Sequence, residues 1–135
     1  MGYSSTVAIS IYGNEAEMNS LKEFYENELA FLSFDDLNDV AGLTEEANSN
    51  CAGDIWGPED KPDFNFYIES VKWYEGNPAV DFFIALMEKA KTFDNLVVEY
   101  VCIGDELEDI TQEWSYNNPE LNEWRLNVNR TVEWA

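Results

Sequence analysis

The run Leu96-Val97-Val98-Glu99-Tyr100-Val101-Cys102-Ile103 is almost continuously apolar and rich in β-branched residues. A short run of this kind reads as a central strand, and the rest of the chain has to be arranged around the sheet that holds it. Thr6-Val7-Ala8-Ile9-Ser10-Ile11-Tyr12 alternates Val7, Ile9 and Ile11 and reads as a first strand ended by Gly13-Asn14. Asn14 then caps a helix, with Glu15 and Glu17 in its first turn. Met18, Leu21, Tyr25, Leu29 and Leu32 follow at helical spacing as one buried stripe, while Glu15, Asn19, Glu23 and Glu26 take the other faces.

From Asp35-Asp36-Leu37-Asn38-Asp39-Val40 through Glu45-Glu46-Ala47, the pattern fits a short second helix or an ordered acidic loop. Asn48 to Lys61, with Gly53, Gly57 and Pro58, reads as a loop that Trp56 pins to the body. Asp63 to Tyr74 returns to strand chemistry, and its alternation breaks between Ile68 and Val71 as at a bulge. Asn77-Pro78 starts a helix whose apolar face is Val80, Phe83, Ile84, Met87 and Ala90. After the Leu96–Ile103 strand, Gly104-Asp105-Glu106 turns the chain and Ile110 to Trp114 returns as a hairpin arm. Trp124 to Val132 alternates as a last strand. The expected architecture is a single α+β domain over 1–135, a largely antiparallel sheet with two main helices on one face, as a ferredoxin-like variant.

The opening strand with its Asn-capped helix, then strand–helix–strand closed by Ile103-Gly104-Asp105-Glu106, resembles small ferredoxin-like proteins of phages and plasmids, the YubB-type domain above all. The similarity covers Thr6–Leu32 and Phe64–Trp114; the Trp-Cys pair with which that family often opens is absent. The resemblance implies a fold and a mobile-element setting, and it transfers no functional residue.

Composition then restricts the chemistry. Twenty-eight acids against seven bases give a net charge of −21, yet 45% of residues are hydrophobic and 15% aromatic, which suits a folded acidic domain and not a disordered tail. No histidine is present, so a Ser–His–Asp or Cys–His nucleophile pair is excluded, as are imidazole zinc ligands. Cys51 and Cys102 cannot make a Cys₄ zinc site or a disulfide framework, and they read as small hydrophobes of a reducing cytoplasm. The charge repels DNA, RNA and anionic lipid, so direct nucleic-acid or membrane binding is not expected. No segment reaches the roughly 20 apolar residues of a membrane span, and Met1–Thr6 lacks the basic start of a signal peptide. The expected location is the cytoplasm, that of the host cell if the chain is phage-encoded.

Enzyme chemistry is left with carboxylates alone, and the abundance of acids and tryptophans does not by itself define the paired carboxylates of a glycoside hydrolase. Asp105-Glu106-Leu107-Glu108-Asp109 does not follow an EF-hand loop, and no phosphate-cradling glycine pattern occurs. No enzyme activity, cofactor or resident metal is therefore expected. The acids are uneven: Asn14–Asn48 carries ten against Lys22 alone, and Leu96–Glu120 carries seven with no base. A solvated surface is the plain alternative, but a net charge of roughly 2–8 suffices for solubility and the excess destabilises a compact chain. Two rows, Glu15, Glu23, Glu26, Asp35, Asp36 and Asp39, then Asp105, Glu106, Glu108, Asp109 and Glu113, are candidates to copy the phosphates of a duplex.

The sequence-based expectation is an acidic inhibitor, encoded by a phage or mobile element, that occludes the nucleic-acid-binding surface of a basic host defence enzyme of restriction or CRISPR type. The alternative is an immunity or regulatory protein that meets a basic toxin or enzyme through an aromatic patch rimmed by acids, for which Trp56, Trp73, Tyr74, Trp114 and Tyr116 are candidate anchors, Trp56 and Trp114 foremost. A homodimer would extend the acidic surface.

Overall fold

Val7, Ile9 and Ile11 point to one side of the first strand and Ala8, Ser10 and Tyr12 to the other, and all six are buried. That strand, β1 (Ser5–Gly13), therefore lies inside a sheet covered on both faces. The computed structural model describes residues 5–50, 54–104, 110–117, 119–121, 123, 125–128 and 132–134. In it β1 sits beside β2 (Phe64–Val71) and β3 (Leu96–Ile103), with β4 (Ile110–Ser115) next to β3, in the antiparallel order β2-β1-β3-β4. The apolar run is thus an inner strand, paired with β1 from Thr6↔Ile103 to Gly13↔Leu96. Val7 faces Ile68 and Ser5 faces Val71, which places a bulge on β2 where its alternation fails. β2 ends at Val71, short of the expected Tyr74.

Three helices, α1 (Glu15–Ala30), α2 (Phe34–Asn50) and α3 (Pro78–Ala90), cover the face made by Val7, Ile9, Ile11, Phe64, Phe66, Leu96 and Val98. α3 packs against both of the others. Asn77 caps it through Ala79 N–H (3.0 Å) with Pro78 in its first turn, and Phe83 inserts among Phe64, Phe66, Trp73 and Phe82. The segment expected to be a short helix or loop is the full α2. Ser33 opens it by accepting from Asp36 N–H (3.2 Å), and Val40 and Ala47 bury its inner side. The helix count is therefore three among the described residues. The order strand–helix–helix–strand–helix–strand–strand also departs from the β-α-β-β-α-β order of ferredoxin-like domains, so the architecture stands as antiparallel α+β.

The opposite face of the sheet is covered by the C-terminal segment. Ala8, Val101, Ile103 and Leu126 form a second, smaller core, with Tyr67, Ile110 and Trp114 packed against it. The expected single last strand is instead a hairpin, β5 (Leu126–Val128) with β6 (Val132–Trp134), in the register Leu126↔Trp134 and Val128↔Val132. Three residues separate the arms, an odd number, so period-two alternation keeps its phase through the reversal and cannot distinguish a hairpin from one long strand. Trp124, Cys51 and the 105–109 turn lie outside the described residues.

Candidate functional site

Asn14 accepts from Glu17 N–H (3.0 Å) and starts α1 so that Met18, Leu21 and Tyr25 turn inward. At 100° per residue, Glu15, Glu23 and Glu26 then fall on one outer stripe, and all three are exposed. Glu17, between them in sequence, is engaged elsewhere: its carboxylate accepts from Asn95 N–H (3.0 Å) and Nδ2 (2.8 Å), which ties α1 to the entry of β3. Gly13 makes the close approach there possible, since a Cβ at its φ of +143° would lie 2.2 Å from the Asn95 carbonyl oxygen.

α1 ends at Phe31 and α2 begins at Phe34, with Leu32 half-buried between them. Phe31 is 85% exposed and Phe34 78%, ahead of Tyr74 at 59%, and Leu37 in the next turn is also exposed. Asp35, Asp36 and Asp39 stand beside them, Asp35 and Asp39 exposed and Asp36 partly so. Asp35 and Asp36 occupy the first turn of α2, where the helix dipole favours negative charge. Asp39 lies beyond that turn and gains no such support. From Glu23 to Asp60 the chain has eleven acidic residues and no basic one. None of those eleven joins an ion pair among the described residues. Beyond Asp39, an open groove of about 510 Å³ runs between α2 and the β2–α3 connection, past Leu43, Glu46, Val71 and Lys72.

Only Glu113 of the second expected row falls among the described residues. Asp105, Glu106, Glu108 and Asp109 lie outside the described residues, and Glu113 is paired with Lys91 at 3.1 Å. Trp56 packs edge-on against Tyr25 (5.3 Å) and Phe64 (5.0 Å), pinning its loop as expected. Trp114 lies against the second core and donates Nε1–H to Glu99 at 3.0 Å. Both indoles thus serve the interior, as does Trp73 against Phe66 and Phe83, whereas the candidates Tyr74 and Tyr116 are exposed. The two most exposed aromatics described, Phe31 and Phe34, are ones the sequence reading did not select. The available signal was their place off the Met18–Leu32 stripe.

A second feature is Glu99, fully buried in the middle of β3. Its Oε1 accepts from Trp114 Nε1 (3.0 Å) and Leu126 N–H (2.9 Å). Its Oε2 accepts from Tyr12 Oη and Arg125 N–H (2.9 Å). Tyr12 Oη in turn accepts from Glu123 N–H at 2.7 Å. Burial, and then the hydrogen bond to Glu99, push the Tyr12 phenol well above its ordinary pKa. The Arg125 guanidinium lies 3.8 Å over the Tyr12 ring and pairs with Asp63 (3.0 Å) and Glu123 (2.9 Å). Burial alone would lower its pKa, and these two carboxylates more than offset that. The cluster is a clasp that holds the C-terminal segment to the sheet.

Among the described residues no group of three or more His, Cys, Asp or Glu is placed to hold a metal ion, and no helix is long and apolar enough to cross a membrane. Comparison with known families, characterised proteins and solved structures returned no match, so the surface is read from its own geometry.

Proposed function

We propose that this protein acts by binding and occluding a basic, nucleic-acid-binding surface on another protein. The observation that carries this reading is the stretch from Glu23 to Asp60, which contains eleven acids and no basic residue and enters no ion pair among the described residues. Charge concentrated in this way destabilises the chain that bears it and is relieved when a cationic surface covers it. Glu23 and Glu26 on α1, and Asp35, Asp36 and Asp39 at the start of α2, include pairs three or four residues apart. The Cβ atoms of such pairs lie about 5–6 Å from each other on the helix surface, giving closely spaced negative charge such as a nucleic-acid backbone offers a basic cleft. A host defence nuclease of restriction or CRISPR type, inhibited by an element-encoded protein, is the class of target that fits. The action is occlusion, without catalysis.

A second reading is favoured by Phe31 and Phe34: an immunity or regulatory interface in which an exposed aromatic pair is rimmed by acids. The two are separated by retaining cell proteins on the immobilised chain and eluting in salt steps, with and without excess duplex DNA. A nuclease released by raised salt and displaced by DNA supports occlusion of a nucleic-acid site. A salt-resistant partner indifferent to DNA supports the second reading, and the absence of any partner overturns both. Neutralising Asp35, Asp36 and Asp39 together is expected to weaken retention at least tenfold, about 1.4 kcal/mol or more. Neutralising the exposed acids Glu75, Glu88 and Asp94, all outside that stretch, should change it little. Equal losses would mean a diffuse effect of net charge.

A further inference from the structure

The most exposed apolar side chains described are found in one four-residue corner. Phe31 and Phe34 flank the turn between α1 and α2, and Leu37 follows one helical turn later. Neither phenylalanine is required by the core, because Leu29, Leu32 and Val40 supply the inward contacts of this corner. Single exposed hydrophobes are ordinary on protein surfaces, whereas two rings of about 150–250 Å² each within one turn make a patch that gains from being covered.

The charge around the patch identifies what covers it. Glu28, Asp35, Asp36 and Asp39 lie within five residues of one ring or the other, and the nearest basic residues along the chain are Lys22 and Lys61. A second copy would bring another net charge of −21 against this one, and anionic lipid would be repelled in the same way. A cationic protein surface with an apolar recess satisfies both components. Burial of aromatic anchors inside a polar, charged rim is the usual anatomy of a specific protein–protein contact.

We propose that the α1–α2 corner is the docking surface for a basic partner protein, with Phe31 and Phe34 entering an apolar recess and Asp35, Asp36 and Asp39 meeting the basic residues around it. The assignment rests on the reading that the chain binds a basic protein, and it adds where and through which side chains. Apolar anchoring gives a contact that salt weakens but does not abolish. It also gives selectivity for a protein over a bare polycation.

The test is titration of the isotopically labelled full chain, at physiological ionic strength, with two short synthetic peptides of equal positive charge. One alternates arginine with leucine and the other arginine with serine. The arginine–leucine peptide is expected to bind about tenfold more tightly, corresponding to roughly 1.4 kcal/mol. It should also shift the backbone amides of Phe31 to Asp39 first. The double variant Phe31→Ser with Phe34→Ser, whose fold is checked by circular dichroism, should bind the two peptides equally. Asp35→Asn with Asp36→Asn and Asp39→Asn should weaken both.

Equal binding of the two peptides by the native chain overturns the assignment but leaves the basic-partner reading intact. The same holds for shifts centred on Leu43 and Val71 in the neighbouring groove, or for a preference that survives the double serine variant. Binding of neither peptide overturns both. Shifts of the Phe31–Asp39 amides on dilution of the free chain would mean that a second copy covers the corner, and would also overturn the assignment.

Discussion

Glu99 is the residue at which sequence and structure part most instructively. In an apolar run of strand residues it looks like an interruption, yet its carboxylate is the most heavily hydrogen-bonded side chain described, with donors from Tyr12, Trp114, Arg125 and Leu126. Strand parity was legible: odd residues of β3 share the side of Ala8 and Tyr12, away from the helices. That this side would be closed by a segment more than twenty residues later was not, because no local signal links Glu99 to Arg125 and Leu126. Replacing Glu99 by leucine removes the acceptor of four donors at once. Each donor left buried without a partner costs about 1–3 kcal/mol. Partial relaxation towards water reduces the total, so a loss of roughly 3–5 kcal/mol is expected. Urea unfolding followed by tryptophan fluorescence measures it. A change below about 1 kcal/mol would mean that the clasp is not closed in solution.

At the scale of elements, α1, α3 and β3 could be placed from the sequence because each carries its own punctuation: Asn14 and Asn77 as caps, Pro78 in a first turn, and a pure strand run at Leu96–Ile103. α2 was only half legible. Gly42 and its several Asn and Asp residues have weak helix propensity, and its buried side is as thin as Val40 and Ala47 with Leu43 beside them. Packing against α3 and β2 makes it a helix. The corner was not legible as a site, since the phenylalanines at 31 and 34 become conspicuous only once the structure leaves them uncovered. A helix held by tertiary contacts and one hydroxyl cap depends on that cap. Ser33→Ala removes the acceptor for Asp36 N–H and is expected to cost about 1 kcal/mol. Amide hydrogen exchange should accelerate in the first turns of α2 and remain unchanged in α3. Uniform acceleration in both helices would show that they open as one unit.

For the whole molecule, unbalanced charge governs how stability responds to the solvent. Twenty-eight acids face seven bases, and the ion pairs among the described residues involve only Lys91 and Arg125. Added salt weakens those few attractions, but it also screens a much larger number of repulsions. The screening length falls from about 30 Å at 0.01 M to about 8 Å at 0.15 M, less than the span of a domain this size. Repulsion between distant acidic segments is therefore lost first, while ion pairs at 3.0 Å and 3.1 Å persist to higher salt. The melting temperature should rise over that interval in sodium chloride and flatten above it. At this chain length each 1 kcal/mol corresponds to roughly 3–5 °C, so a gain of a few kcal/mol is readily measured by calorimetry. A falling melting temperature would show that attractions within the fold outweigh self-repulsion, removing the argument that the acidic surface is maintained for a partner. Association with that partner has the opposite dependence, because the same ions screen attraction across the interface. One salt series read by calorimetry and by partner binding should therefore give slopes of opposite sign. Parallel slopes would place the acidic surface outside the interface.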